Sequence, residues 1–224
     1  MADRSNAAPL IVSPHRVAWR ADTPTKRTKR LWFDPEINRV VQMTRFDPDA
    51  RLELHRHLGH EMVYVIEGDV TDEGCTVVAG EVSYRPTGCT HTVHSINGAT
   101  ALAIVTGGNL DAESIGSASQ SMVYRPCEIP WTRDSSLAMS KVVCARHDDL
   151  PQTVLLRLDP GAILPRHRHI GEQFLFTLEG SYADESGEVR TGDFHYLPDG
   201  WMHEISSKNG ATILCVTYGI MEKA

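Results

Sequence analysis

The chain has 224 residues, 41 % of them apolar, and a formal net charge of -7 at pH 7. This excludes nucleic acid as the main partner, because a phosphate backbone needs a basic face. No apolar run approaches the ~20 residues of a membrane-spanning helix, and Gly and Pro scattered among short Val/Thr/Tyr/Phe-rich stretches point to an all-β fold.

In chain order, the N-terminal residues include Asp3 and Arg4 and lack the apolar core of a signal peptide. A basic run, Lys26, Arg27, Lys29 and Arg30, reads as a solvated loop. Strands are expected near Arg39–Phe46, Leu52–His57, Met62–Ile66, Thr76–Val78, Val82–Arg85, Thr92–His94 and Ala101–Thr106. Gly68 and its neighbours supply turns. A linker is expected from Asn109 to Ser121, which has no apolar periodicity. The second half repeats the strand pattern, most clearly at Val154–Leu158, Phe174–Leu178 and Thr212–Tyr218. Strands this short and evenly spaced imply a sandwich or small barrel, with little helix. The five cysteines contain no CxxC and no even framework, so reduced thiols and a cytoplasmic location are expected.

The two halves are copies. His55-Arg56-His57 recurs as His167-Arg168-His169, a shift of 112 (167 − 55). The same shift carries His91 to His203, Gly68 to Gly180, Pro86 to Pro198, Trp19 to Trp131 and Arg45 to Arg157, without insertion or deletion. It also superposes Asn97-Gly98-Ala99-Thr100 on Asn209-Gly210-Ala211-Thr212. A long period with two copies means duplicated domains, 1–112 and 113–224, rather than a solenoid.

A lone HxH says little about metal. Here HxHxxxE or HxHxxxQ, then G-x5-P-x-G-x2-H, occurs twice in one register. Alternation along a strand puts His55 and His57 on one face, with Glu61 following and His91 arriving from a second segment. Three imidazoles and a carboxylate suit Zn, Fe, Mn, Ni or Cu and leave a position for water or ligand. In the second half the set is His167, His169, Gln173 and His203. An amide oxygen is a weaker, neutral ligand, so one metal per domain is expected with the second held more loosely. On ligand charge alone, the second pocket should favour anions more. Glu172 is adjacent to Gln173 but on the opposite strand face.

This double pattern resembles the two sequence motifs of the cupin superfamily. Its first motif, G-x5-HxH-x3,4-E-x6-G, matches His55, His57, Glu61 and Gly68, with Asp49 in place of the leading Gly, and Gly161, His167, His169 and Gly180. The second matches Gly80, Pro86, Gly88 and His91, then Gly192, Pro198, Gly200 and His203, with Ser95 and Ser207 where the family has Asn. Leu156-Arg157-Leu158-Asp159-Pro160-Gly161, Leu178-Glu179-Gly180 and Phe46-Asp47-Pro48 bring the repeats closer to the ChrR-type cupin domain, the C-terminal part of ChrR anti-sigma factors. The resemblance implies two tandem jelly-roll barrels and a zinc site of three His and one Glu. Those anti-sigma factors bind their sigma factor through an N-terminal helical domain with an H-x3-C-x2-C zinc site, which this chain lacks. Sigma-factor inhibition is therefore not expected.

Other recurring residues receive plainer readings. His60, His94 and His195 lie beside ligands in sequence and are candidate supporting groups, with surface or hydrogen-bonded roles favoured; His15 and His147 are read as surface. Arg45 and Arg157 are expected in structural salt bridges, Cys89 as a small packed residue opposite Trp201, and Tyr84 and Tyr196 as packing. Two functions fit: a metal-bound module for a small, anionic ligand or an oxidant, and a metal-dependent oxygenase cleaving a dicarbonyl or enol. No base or nucleophile motif accompanies the metal, which favours the first. Cupins often dimerise through their sheets, so a homodimer is a further expectation, unless the duplication supplies that pairing internally.

Overall fold

A computed structural model describes residues 8–72, 75–111, 121–146 and 151–223. Among these, the only helical pieces are two 3-10 turns, Pro14–Arg16 and Pro126–Glu128. Compactness divides the chain into His15–Glu128 and a second unit made of Met1–Pro14 with Ile129–Ala224. The break expected at residues 112 and 113, most of the linker, and His147 lie outside the described residues.

The first unit contains β2 (Arg20–Thr23), β3 (Lys26–Asp34), β4 (Arg39–Phe46), β5 (Ala50–His57), β6 (Glu61–Asp72), β7 (Cys75–Val78), β8 (Val82–Arg85), β9 (Thr90–Ser95), β10 (Ala99–Val105), β11 (Asn109–Asp111) and β12 (Met122–Tyr124). They pair in the order β2-β3-β4-β10-β6-β9-β5-β11, with β7 and β8 also on β6 and β12 on β8. Every pairing is antiparallel.

The second unit repeats this plan. It contains β1 (Leu10–Val12), β13 (Thr132–Ser135), β14 (Ala138–Cys144), β15 (Gln152–Leu158), β16 (Ala162–Ile170), β17 (Gln173–Asp184), β18 (Gly187–Arg190), β19 (Phe194–Leu197), β20 (Met202–Ser207), β21 (Ala211–Thr217) and β22 (Ile220–Lys223). The edge positions are exchanged along the sequence: β1 pairs with β19, and β12 with β8. Each short strand thus groups with the repeat to which it is not sequence-contiguous.

Long strands β6 and β17 close the barrels. The first half of β6 pairs with β10 and β8, and its second half with β7 and β9. Gly68 was expected to end the strand in a turn. Instead β6 runs through it, and Gly68 (φ 78) pairs with Ala99 two residues beyond Ile66, where the pairing with β10 slips by one residue. A Cβ there would collide with the Gly98 carbonyl oxygen, so glycine is required for β6 to pass this close to the Gly98–Ala99 backbone. Gly180 meets Gly210 in the same way. Alternation then turns Phe46, Ala50, Val65, Val70, Val77 and Val93 into one core, and Leu158, Leu175, Tyr182, Leu197, Ile205 and Ile213 into the other.

The basic run is not a loop. It opens β3, where every charge is neutralised or laid on a ring. Lys26 pairs with Asp22, Arg27 with Asp47, Lys29 covers Trp19 and Arg30 covers Phe33. The polar residues satisfied a strand because each found a local partner.

Candidate metal centres

Each HxH sits near the end of a strand, after a register shift that separates it from the regular ladder below. The shift falls between Leu52 and His55 in β5, and between Leu164 and His167 in β16. The third histidine arrives across the ladder, with His55 opposite His91 and His167 opposite His203. One candidate ligand atom from each of the three histidines lies within 4.8 Å of the others in both groups. The Nε2 atoms of His57 and His91 are 2.8 Å apart; His203 Nε2 stands 3.0 Å from both His169 Nε2 and His167 Nε2.

Backbone and carboxylate acceptors fix the orientations of four of the six rings, while Nδ1 of His57 and of His169 has no hydrogen-bond partner among the described residues. His55 Nδ1 donates to the Glu53 carbonyl (3.0 Å) and His167 Nδ1 to the Pro165 carbonyl (2.9 Å). His91 Nδ1 stands 3.0 Å from Asp72 Oδ2, and His203 Nδ1 donates to Asp184 Oδ2 at 2.8 Å. Arg85 Nε lies 3.1 Å from His91 Nδ1 but closer, at 2.9 Å, to Asp72 Oδ2, and a carboxylate oxygen accepts from both, which leaves Nδ1 as a donor to Asp72 as in the His203–Asp184 pair. With Nδ1 protonated on these rings, their Nε2 lone pairs converge.

Convergent lone pairs 3 Å apart repel unless a cation sits between them. Two nitrogens each ~2.1 Å from one ion at a right angle would stand ~3.0 Å apart, so the spacing fits a shared metal. Burial, with neighbouring imidazoles opposing charge, lowers His57 to about 4 and His169 to about 3. Both rings stay neutral and available for coordination at neutral pH. Burial opposes ionisation of Asp72 and Asp184, but hydrogen bonds from His91 and His203 bring both carboxyls down to about 2.

The fourth positions differ. Glu61 Oε2 lies 3.5 Å from His57 Nε2 and 2.9 Å from Arg85 Nη1. Burial resists its charge, yet the Arg85 guanidinium holds the carboxyl below its ordinary range. Gln173 starts β17 at the equivalent place and donates from Nε2 to Thr217 Oγ1 at 3.0 Å. Glu172 points away, accepting from the Tyr196 hydroxyl.

Arg85 is the residue that sequence reasoning missed. It is 2 % exposed and bonds Glu61, Asp72 and Ser83. Its counterpart is Leu197, and that one difference between otherwise matching Tyr-x-Pro segments was the available signal. Glu61, Asp72 and Arg85 together contribute one negative charge to the first centre; Asp184 alone contributes one to the second. The greater positive charge expected of the second pocket from Gln173 is therefore cancelled by Arg85.

The remaining candidates divide. His195 belongs to the second centre, taking hydrogen bonds with Tyr182 (3.0 Å) and Ser186 (3.0 Å) and lying 3.9 Å from Asp184. His60 instead stacks on Tyr84 and meets Thr106 Oγ1, and His94 lies 4.0 Å from Asp49. Cys89 is buried, with Sγ 3.8 Å from Ser121 Oγ, and Ser121 in turn donates to Asp72. Arg45 and Arg157 were expected in salt bridges. They lie over the Trp19 and Trp131 rings, 4.7 and 4.3 Å from the centroids, with Lys29 and Lys141 also over those rings. His15 is exposed.

The first barrel also holds a cavity of about 80 Å³, lined by His55, Glu61, Arg85 and His91 at one end and by Gln42, Thr44 and Val63 along its wall. At about 30 Å³ for each water-sized group, that is room for two or three of them.

Comparison with known proteins agrees with this construction. A family model described as the ChrR cupin-like domain matches residues 7–111 and again 119–221. No curated protein matched the chain. Oxalate decarboxylase from Bacillus subtilis at pH 4.6 shares 14 % identity over 95 % of this chain and 78 % of its own, with a TM-score of 0.73. A tryptophan-to-tyrosine variant of the same enzyme gives 15 %, the same coverages and 0.72. A structure concerned with the Mn(II) centres of that enzyme gives 15 % over 93 % and 76 %, at 0.70. At such identity the likeness is one of fold. The sequence family, the duplicated barrels and the paired three-histidine groups together place this chain in the ChrR cupin-like domain family, as a bicupin carrying that domain twice.

Proposed function

We propose that each barrel binds one divalent cation and that the first barrel is the working site, where a small ligand enters the cavity and reaches the metal. His55, His57 and His91 would hold the first ion with Glu61; His167, His169 and His203 the second, with Gln173 as a weaker neutral neighbour. The observation that carries the reading is the convergence of three imidazoles in the first barrel, two of which, His55 and His91, are oriented by hydrogen bonds and line a cavity. A bound ion there would supply a Lewis-acid position for an oxygen ligand. The chain's own groups orient the imidazoles through Asp72 and the Glu53 carbonyl, while the apolar Val63 and Val93 walls limit water. Manganese, iron, nickel and zinc all suit these donors.

Elemental analysis of the purified chain tests this directly. Two equivalents of a transition metal are expected, and His57→Ala should lose one. Unchanged stoichiometry in that variant would remove the first centre. Oxygen uptake on adding a β-dicarbonyl would assign the site to oxygenase chemistry, the alternative use of the same open position.

A further inference from the structure

The two barrels share a backbone plan and a histidine triad, so their interiors can be compared position by position. Polar lining in the first is replaced by apolar side chains in the second: Gln42, Thr44 and Arg85 stand where the second repeat has Val154, Leu156 and Leu197. Small lining residues are replaced by larger ones: Val63, Val70 and Ala101 stand where it has Leu175, Tyr182 and Ile213. Leu175, Tyr182, Leu197 and Ile213 are each no more than 2 % exposed and form one packed cluster, with Val154 and Leu156 against it. At these positions the second repeat places side chains where the first has cavity, although Lys26 and Phe46 give way to the smaller Ala138 and Leu158.

Among the described residues Arg85 is the one cationic side chain bonded to the first centre, and its bonding is incomplete. Nε serves Asp72, and Nη1 serves Glu61 and Ser83. Nη2 makes no hydrogen bond to any described residue, although the side chain is buried and lines the cavity. That nitrogen is not sealed off from the cavity, and a guanidinium donor without a protein acceptor there is available to a ligand oxygen. With a divalent cation added to Glu61, Asp72 and Arg85, the centre totals one positive charge, which a single carboxylate would neutralise. Carboxylate is also the head group that guanidinium donors bind best in a dry site. Gln42 and Thr44, which also line the cavity, offer hydrogen bonds to a second oxygen, and the small volume limits the chain length.

We propose that Arg85 is the anion anchor of the first barrel, that its ligand is a short hydroxy- or oxo-carboxylate, and that the second barrel takes no ligand. This deepens the proposed function and rests on the first centre holding a metal. The test uses the full chain loaded with Mn(II), its metal content measured separately, and calorimetric titration with glycolate, pyruvate, oxalate and acetate, with propanamide as a neutral control of similar size. One equivalent of carboxylate per chain is expected, with the hydroxy- and oxo-acids tighter than acetate and no heat from propanamide. Arg85→Leu should weaken binding at least 100-fold while two metal equivalents are retained. Should that variant fail to fold, Ala101→Ile, which fills the cavity without touching a charge, must weaken binding by a similar factor.

Two carboxylate equivalents per chain would overturn the closed second barrel. Unchanged affinity in Arg85→Leu, or in Ala101→Ile where the former does not fold, would overturn the anchor. A chain that holds two metals yet binds none of the four acids would overturn the ligand class. A chain that holds no metal would instead overturn the proposed function, leaving the two failures distinct.

Discussion

Ala101 and Ile213 occupy the same place in the two repeats, are 1 % and 0 % exposed, and should respond oppositely to exchange. Replacing a buried Ala with Ile in a filled core costs about 1–3 kcal/mol through overpacking. Ala101 faces a cavity, so its three added carbons have somewhere to go. At about 0.8 kcal/mol per buried methylene the gain has a ceiling near 2.4 kcal/mol. Water displaced from Gln42, Thr44 and Arg85 returns part of that, leaving Ala101→Ile neutral to about 2 kcal/mol stabilising. Ile213→Ala empties a packed position and should cost about 2–5 kcal/mol. Two compact units need not unfold together, so the readout is native-state hydrogen exchange on peptides from Ala99–Val105 and Ala211–Thr217 separately. Protection of the first peptide should hold or rise in Ala101→Ile, and that of the second should fall in Ile213→Ala. A loss of 1 kcal/mol or more at the first peptide would mean that the cavity does not exist in solution.

The metal-free protein should lose stability between pH 6.5 and pH 4. His57, His169 and His195 are lowered to about 4, 3 and 4, burial being the first cause in each; the unfolded chain takes up these protons below pH 6.5 while the folded one does not. Thermal midpoints of chelator-treated protein that rise on acidification through this window would contradict the buried, neutral rings. Gln173→Glu should slow metal loss from the second centre to a competing chelator by about tenfold, since no arginine there offsets the new charge; no change would separate residue 173 from that ion. A thiol reagent should label exposed Cys127 first and spare Cys215, which burial raises to about 12; mass spectrometry showing early label on Cys215 would refute its placement. Arg45→Gln should cost about 0.5–1 kcal/mol by loss of the contact with Trp19, seen as a lower denaturation midpoint.

Much of this was legible in the residues because the repeat supplied its own control. Strands Arg39–Phe46 and Val82–Arg85 were bounded correctly, since turn residues flank alternating apolar positions. The histidine groups were legible because HxH spacing fixes a shared face. Strand β3 was not, because its charges are satisfied by Asp22, Asp47 and two aromatic rings whose proximity depends on tertiary pairing. The continuation of β6 through Gly68 was missed for a related reason: a glycine with positive φ serves a close approach of two backbones as well as a turn, and only the proximity of Gly98 distinguishes them. Arg85 was not legible because the repeat marks what the two halves share, and Arg85 stands where they differ.

The exchanged edge strands bear on how the molecule tolerates cutting. All four residues of Phe194–Leu197 are buried, and Leu10–Val12 shields one side of that strand. Trimming the residues up to Pro14, a routine clean-up of an apparently irregular terminus, would strip the partner from a strand near the other end of the sequence. The bared backbone would then be free to recruit strands from other molecules, and aggregation would report damage to the second barrel rather than the first.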